Sequence, residues 1–361
     1  MDKEDIKNSF NRVFSNEEYF LPIRCEENGY YVKLSELFEL YKAEFFWTEH
    51  SVYSKVCEVC DLIIKILNDY LDGKPQKAFC AFKNLYSILG ENFLSIYSEI
   101  NMDPNLNEDD SRHSLFRMRK VDKNSPYLRK EIFHTPFSLR NRVATNRYSI
   151  AGYPCLYLSS SIELCMQELE FSINPGRYII SRFEIVKDCP IVDNHVVHPR
   201  IIELGIKPQD FFVEGKEPDK TIYKRRAALD KKLLDNPDVK MNYMVWYPFI
   251  LACSFIRPDK NTPFSIEYVL PQLLMQYVRE EIKANGVQMG IRYFSCASVL
   301  ASELGFNYVF PSNFEKRTAD EYCGILTRLF QLTEPIFVNE YTENRYLLMA
   351  LRNKKLGYYN E

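Results

Sequence analysis

The chain has 361 residues, of which 46% are hydrophobic and 26% charged, with a formal net charge of -3. That length suggests two domains, since a domain typically runs about 100–200 residues, and the composition can bury a core in each. The mildly acidic balance argues against a dedicated nucleic-acid binder, whose binding domain is usually strongly basic.

The chain starts MDKEDIKNSF, without an apolar h-region, so no secretory signal is expected. The longest apolar stretch, residues 243–256, is shorter than the roughly 20 residues a membrane span needs and is interrupted by Pro248. A soluble, cytoplasmic protein with no membrane partner is expected. Ten cysteines are scattered without a framework spacing, as small buried hydrophobes in a reducing compartment would be. Cys57 and Cys60 form the one close pair. A structural zinc site wants four ligands, and neither a second pair nor a suitably placed histidine exists, so no metal is expected.

The first hundred residues read as helical. Residues 52–70 carry Val56, Cys57, Cys60, Ile63, Ile64 and Leu67 at a helical period, and Asp72-Gly73-Lys74-Pro75 then stops the helix. A second helix is expected over 76–100. The Asn- and Asp-rich segment 101–112 reads as a linker, which divides the chain into a helical domain, 1–108, and a second domain, 109–361. Beyond it, 115–118, 155–159, 178–186 and 335–339 read as strands, and 241–256 and 269–284 as core helices with Pro271 in a first turn. Strands and helices interleave without βαβ regularity, so the expected class is α+β, preceded by an all-α region. The basic positions 224–226, 231 and 232 read as a solvated face.

The block Arg147-Tyr148-Ser149-Ile150-Ala151-Gly152-Tyr153-Pro154-Cys155-Leu156-Tyr157 carries the chemistry. An arginine precedes a turn, and a short strand delivers Tyr157. Ser160 is expected to cap the next helix, with Glu163 completing a capping box. On that helical wheel Glu168 falls between Leu164 and Cys165, on the apolar side. A carboxylate there is costly unless paired or used. Arg117 sits within a strand and lines a cleft or faces solvent. Ser295, among apolar and aromatic neighbours, serves a polar ligand or its own backbone.

Residues 115–168 with 290–298 resemble the RES domain, a family named for an Arg, a Glu and a Ser. Arg117, Arg147, Tyr148, Ser149, Gly152, Pro154, Tyr157, Glu168 and Ser295 match its order and spacing. Two features depart from the compact members: Tyr148-Ser149 stands where they often carry Trp-Asn, and the stretch 187–293 is longer. The resemblance implies an ADP-ribosyltransferase-like mixed β core with surrounding helices. It also implies NAD⁺ as substrate, without a metal. Arg117 and Arg147 would fork onto phosphate. Tyr148, Ser149, Tyr157 and Ser295 would contact the ligand, with Ser295 orienting nicotinamide or phosphate, and Glu168 would stabilise the oxocarbenium-like ribose. The implied activity is NADase or NAD⁺ phosphorylase, in a toxin–antitoxin or phage-defence setting with an antitoxin or regulatory partner, and a homo-oligomer fits as well. The alternatives are a mono-ADP-ribosyltransferase acting on a protein or nucleic acid, and a non-catalytic NAD⁺ or ADP-ribose sensor.

The helical N-terminal region resembles the HEPN-type domain that some RES proteins carry in front. The Arg-x4–6-His signature of HEPN nucleases occurs only at Arg129 and His134, outside that region, and reads as coincidence. A fragment starting near Asp109 is expected to keep a core of its own.

Overall fold

The computed structural model describes residues 3–26, 29–46, 50–89, 95–96, 114–122, 126–186, 191–192, 195–196, 199–212, 235–259, 261–285, 288–338 and 344–361. The expected linker at 101–112, the 108/109 boundary and the basic positions 224–226, 231 and 232 lie outside the described residues.

Four helices come first: α1 (Lys3–Phe14), α2 (Tyr30–Phe45), α3 (His50–Leu71) and α4 (Pro75–Leu89). Helix α1 buries Ile6, Phe10, Val13 and Phe14, one stripe of its surface. Helix α3 buries Val56, Cys60, Ile63 and Leu67 as its periodicity requires. It stops where Gly73 takes φ +72° and the Lys74 N–H bonds back to the Asp69 carbonyl at 2.9 Å. Pro75 then opens α4, where its missing N–H costs nothing. The helix expected over 76–100 does not run its full length: among the described residues α4 covers Pro75–Leu89. Ser95 and Ile96 are strand instead, because Ile202 and Ile201 offer them backbone pairing at a sheet edge.

The chain continues through β1 (Ser95–Ile96), β2 (Leu115–Val121), α5 (Arg129–Ile132), β3 (Cys155–Ser159), α6 (Ile162–Glu168), β4 (Arg177–Ile185), β5 (Ile191–Val192), β6 (His195–Val196) and β7 (Pro199–Leu204). Helices α7 (Pro237–Ala252) and α8 (Val269–Asn285) follow. Then come β8 (Gln288–Phe294), β9 (Phe306–Pro311), α9 (Leu326–Leu329), β10 (Phe330–Thr333), β11 (Ile336–Val338), α10 (Asn344–Arg352) and β12 (Leu356–Gly357). The class is α+β. The main sheet runs β1-β7-β8-β9-β3-β2-β4-β10-β12, with β11 also on β4. Strands β7 and β8 are parallel, joined through α7 and α8, and the other neighbours are antiparallel.

Alternation sorts the strand residues onto two faces. Ile202, Leu204, Ile291 and Val309 join the core beneath the helices. Ile201, Leu156, Leu158, Phe183 and Phe310 build the core of the opposite face. A smaller cluster sets α6 and α10 against β2 and β4, through Phe116, Ile162, Ile180 and Leu347.

Helix α7 ties the two parts of the chain together. It is buried almost all round from Tyr243 to Ala252, and Pro248 lies within it, the pattern of a helix enclosed by neighbours. Its core is shared with Phe14, Leu37, Tyr41, Ile63 and Phe82 of the first four helices. Buried tyrosine and tryptophan donors cross between the parts: Tyr41 Oη to the Met244 carbonyl at 2.8 Å, Tyr30 Oη to Ala252 at 2.9 Å and Trp246 Nε1 to Leu89 at 2.9 Å. The core expected to be self-sufficient from about 109 onward is therefore partly built by residues 3–89. Among the described residues no helix is long and apolar enough to cross a membrane.

Candidate active site

A gap in the sheet creates the site. Strand β2 pairs along its whole length with β4, but in register with β3 only at Phe116 and Ser159. Where the two strands part, Arg117 enters. Its Nη1 donates to the Tyr157 carbonyl at 2.9 Å, and its Nε is buried with no hydrogen-bond partner. Burial, together with the nearby Arg119, lowers this guanidinium to about 10, which leaves it a cation at neutral pH. Of the two readings open for Arg117, the structure gives the cleft.

Arg147 and Tyr148 form the tip of a tight turn closed by backbone bonds between Asn146 and Ser149 in both directions. The Arg147 guanidinium donates to the Cys253 carbonyl at 3.0 Å and the Phe255 carbonyl at 2.7 Å. It stays on the cavity lining. Tyr148 is buried and leans its ring on Tyr293, centroids 4.5 Å apart. Tyr293 lines the cavity, and Tyr148, expected to meet a ligand, packs against that ring. Ser149 is likewise buried, and its hydroxyl and that of Tyr157 have no partner of good geometry. Tyr157 faces the cavity, and burial raises its phenol well above the ordinary value, keeping it neutral.

Helix α6 presents the carboxylate. Its cap is Ser161 rather than the expected Ser160: Ser161 Oγ accepts from the Leu164 N–H at 3.2 Å. Ser160 is drawn off by β9, accepting from the Phe306 N–H at 2.8 Å. Leu164 and Cys165 are buried, and Glu168, in the last turn, opens onto the cavity. Glu168 Oε1 accepts from Ser295 Oγ at 2.6 Å and Asn307 Nδ2 at 2.8 Å. Both donors are buried and themselves fixed. Ser295 Oγ accepts from the Ala297 N–H at 3.1 Å, and Asn307 Oδ1 accepts from Ser159 Oγ at 2.6 Å. Because a carboxylate only accepts, this chain fixes the Asn307 amide with its nitrogen toward Glu168. Ser295, expected to touch the ligand, is buried with its hydroxyl donated to Glu168.

The cavity bounded by these residues has a volume of about 660 Å³, within the roughly 300–1,000 Å³ usual for small-molecule sites. Arg117, Arg147 and Arg257 line it with Tyr157, Tyr268, Tyr293 and Glu168. None of the three arginines forms an ion pair among the described residues. Glu168 is held by neutral donors instead of by a guanidinium. Three arginines against the two carboxylates of Glu168 and Glu170 leave the lining with an excess of positive charge, which fits an anionic ligand.

Asn307, Tyr293, Arg257 and Tyr268 were not singled out from the sequence. Asn307 had a signal: a lone amide in the apolar run Phe306-Asn307-Tyr308-Val309-Phe310 must find a partner once buried. Arg257 and Tyr268 lie between helices, outside any periodic pattern. Arg129 and His134 are used by the fold. Arg129 Nε donates to the Leu332 carbonyl at 2.9 Å, while His134 Nε2 accepts from the Cys323 N–H at 2.9 Å.

No protein-family model matches the chain, and no solved structure matches it. It is similar to a protein of Bacillus subtilis (strain 168) described as "Putative toxin YopC", with 27% identity over 321 residues, 86% of this chain and 64% of that protein. The chain thus spans less than two thirds of the length of that curated relative.

Proposed function

We propose that this cavity binds NAD⁺ and that the chain cleaves its nicotinamide–ribose bond, with an ADP-ribosyltransferase-like fold of the RES type around the site. The observation that carries the reading is Glu168. Its carboxylate is fixed by two buried neutral donors and opens into a cavity lined by three arginines without ion pairs. Breaking the bond releases neutral nicotinamide and leaves oxocarbenium character on the ribose. A carboxylate held in place stabilises that positive charge without reorganising, an effect typically worth about 10²–10³ in rate for one group. Arg117 and Arg147 hold the pyrophosphate. The rings of Tyr157 and Tyr293 offer apolar faces to the flat bases. Water then gives ADP-ribose, and inorganic phosphate gives its 1″-phosphate. Similarity to a protein described as a toxin supports a toxin-like role; restraint by a partner protein is part of the proposal.

The test is to incubate the full chain with NAD⁺, with and without phosphate, and identify the products by mass. Nicotinamide with ADP-ribose or its phosphate supports the reading. Mass added to a protein or nucleic acid points to transfer in the same site. NAD⁺ left intact by an enzyme that binds it sinks the cleavage reading in favour of a sensor.

A further inference from the structure

Two guanidiniums lie over the Tyr268 ring. The Arg147 Cζ sits 5.0 Å from the ring centroid and the Arg257 Cζ 5.4 Å. All three residues line the cavity. Arg257 reaches it from the segment between α7 and α8, where its Nη2 is anchored on Thr262, on the carbonyl and, at 2.9 Å, on Oγ1. Its Nε is buried and has no partner. Two like charges on one aromatic ring are costly in a partly dry cavity unless an anion sits against them. No carboxylate among the described residues pairs with either.

We propose that Arg147 and Arg257, with Tyr268 as their shared platform, form a clamp for a diphosphate, and that Arg257 is the residue that makes the cavity prefer a diphosphate to a monophosphate. The inference rests on the NAD⁺ reading and deepens it, by naming a second phosphate contact outside the motif block. The clamp also draws on the N-terminal part of the chain. The Ile23 N–H bonds to the Ser254 carbonyl at 3.0 Å, and the Ile256 N–H to the Ile23 carbonyl at 2.8 Å. This pairing holds the strip whose Cys253 and Phe255 carbonyls anchor Arg147, and Arg257 follows directly.

The test uses the full chain and two probes, ADP-ribose and AMP, by calorimetry. The wild type binds ADP-ribose at least about tenfold more tightly than AMP, the scale of one charge-assisted bond. Arg257→Ala and Arg257→Gln lose about tenfold or more on ADP-ribose and stay within about twofold on AMP. Tyr268→Leu loses the same preference. Thr262→Val removes the Oγ1 anchor and leaves the bond to the Thr262 carbonyl, so it loses part of the preference. The clamp is overturned by a wild type without the preference, by Arg257→Ala binding ADP-ribose normally, or by equal losses on both probes. Nicotinamide release from NAD⁺ separates the two ideas. Binding preference without release removes the cleavage chemistry and leaves the clamp. Release together with an unaffected Arg257→Ala removes the clamp alone.

Discussion

Ser295 donates its hydroxyl proton to Glu168 across 127 residues of sequence, at 2.6 Å. The bond joins the end of β8 to the last turn of α6. With Asn307 it gives one carboxylate oxygen two neutral donors and, among the described residues, no counter-ion, leaving the charge that the proposed cleavage would set against a cationic ribose.

Glu168→Gln keeps nearly the same volume and removes the charge. NAD⁺ cleavage should fall by about 10²-fold or more, the usual scale for a group that stabilises transition-state charge. Glu163→Gln, one turn earlier on α6, should be far milder. Nicotinamide release by chromatography and a thermal melt decide it. Wild-type turnover in a folded Glu168→Gln protein removes the assigned mechanism.

Asn307→Leu and Ser295→Ala each strip one donor from Glu168. A hydrogen bond to a charged group is worth about 1.5–3 kcal/mol, so a drop in kcat of about tenfold or more is expected for each. Ser295 is buried off the cavity lining, so the KM of Ser295→Ala should hold, whereas Asn307 lines the cavity and its KM is free to move. A rise in KM with kcat intact in Ser295→Ala would show that this side chain touches the ligand instead of positioning the carboxylate.

Much of this was legible in the sequence. Periodicity gave α3, which buries one stripe, while α7 was legible as an apolar run because it is buried almost all round. Arg117, Arg147, Tyr157 and Glu168 share one cavity lining and Ser295 reaches Glu168, because the interiors of β2 and β3, the turn at 146–149 and the last turn of α6 carry them there. What stayed hidden depended on tertiary pairing. Ser95 and Ile96 become strand only because β7 presents an edge. Ser161 caps α6 only because β9 occupies Ser160. Arg257 and Tyr268 matter only through where α7 and α8 leave them.

Arg147→Ala and Arg147→Lys should both weaken binding of NAD⁺, and lysine should rescue poorly because it lacks the planar fork. The structure adds a second effect. Removing the guanidinium leaves the buried Cys253 and Phe255 carbonyls without these donors, at about 1–3 kcal/mol each. Binding should therefore be compared with a denaturation curve. Equal affinity for all three forms argues against Arg147 as an anion contact.

His134 predicts a pH dependence of stability. Burial, with Arg117 nearby, pushes its imidazole from 6.5 down to about 4, while Nε2 accepts from the Cys323 N–H. Between these values the unfolded chain binds a proton that the native chain does not. The stabilising contribution is therefore complete above about pH 6.5 and is lost as pH falls toward 4. One proton gives a slope of about 1.4 kcal/mol per pH unit, about 3 kcal/mol across the window. Urea denaturation at several pH values should show this loss, and His134→Gln should flatten it. An unchanged slope in the variant would assign the acid sensitivity elsewhere.

The last prediction concerns the first hundred residues. If they were a separate module, a chain starting near Asp109 would fold and cleave NAD⁺ on its own. The structure argues otherwise. Removing 1–108 would strip Phe14, Leu37, Tyr41, Ile63 and Phe82 from around α7 and α8. Trp246 and Tyr247, now fully buried, would meet water. Losing the partners of a single large core side chain costs about 3–5 kcal/mol, against a total stability of about 5–15 kcal/mol for a domain. The backbone pairing of Ile23 with Ser254 and Ile256 would go too, and with it the support for the strip that anchors Arg147. The truncated chain should therefore be insoluble, or soluble with exposed apolar surface and no cooperative melt. A milder probe keeps the fold: Tyr30→Phe removes only the bond to the Ala252 carbonyl, just before that strip. It should cost about 1 kcal/mol of stability and weaken ADP-ribose binding, which depends on the anchored Arg147. A truncated protein that melts cooperatively and turns over NAD⁺ at the full-length rate would restore the separate module.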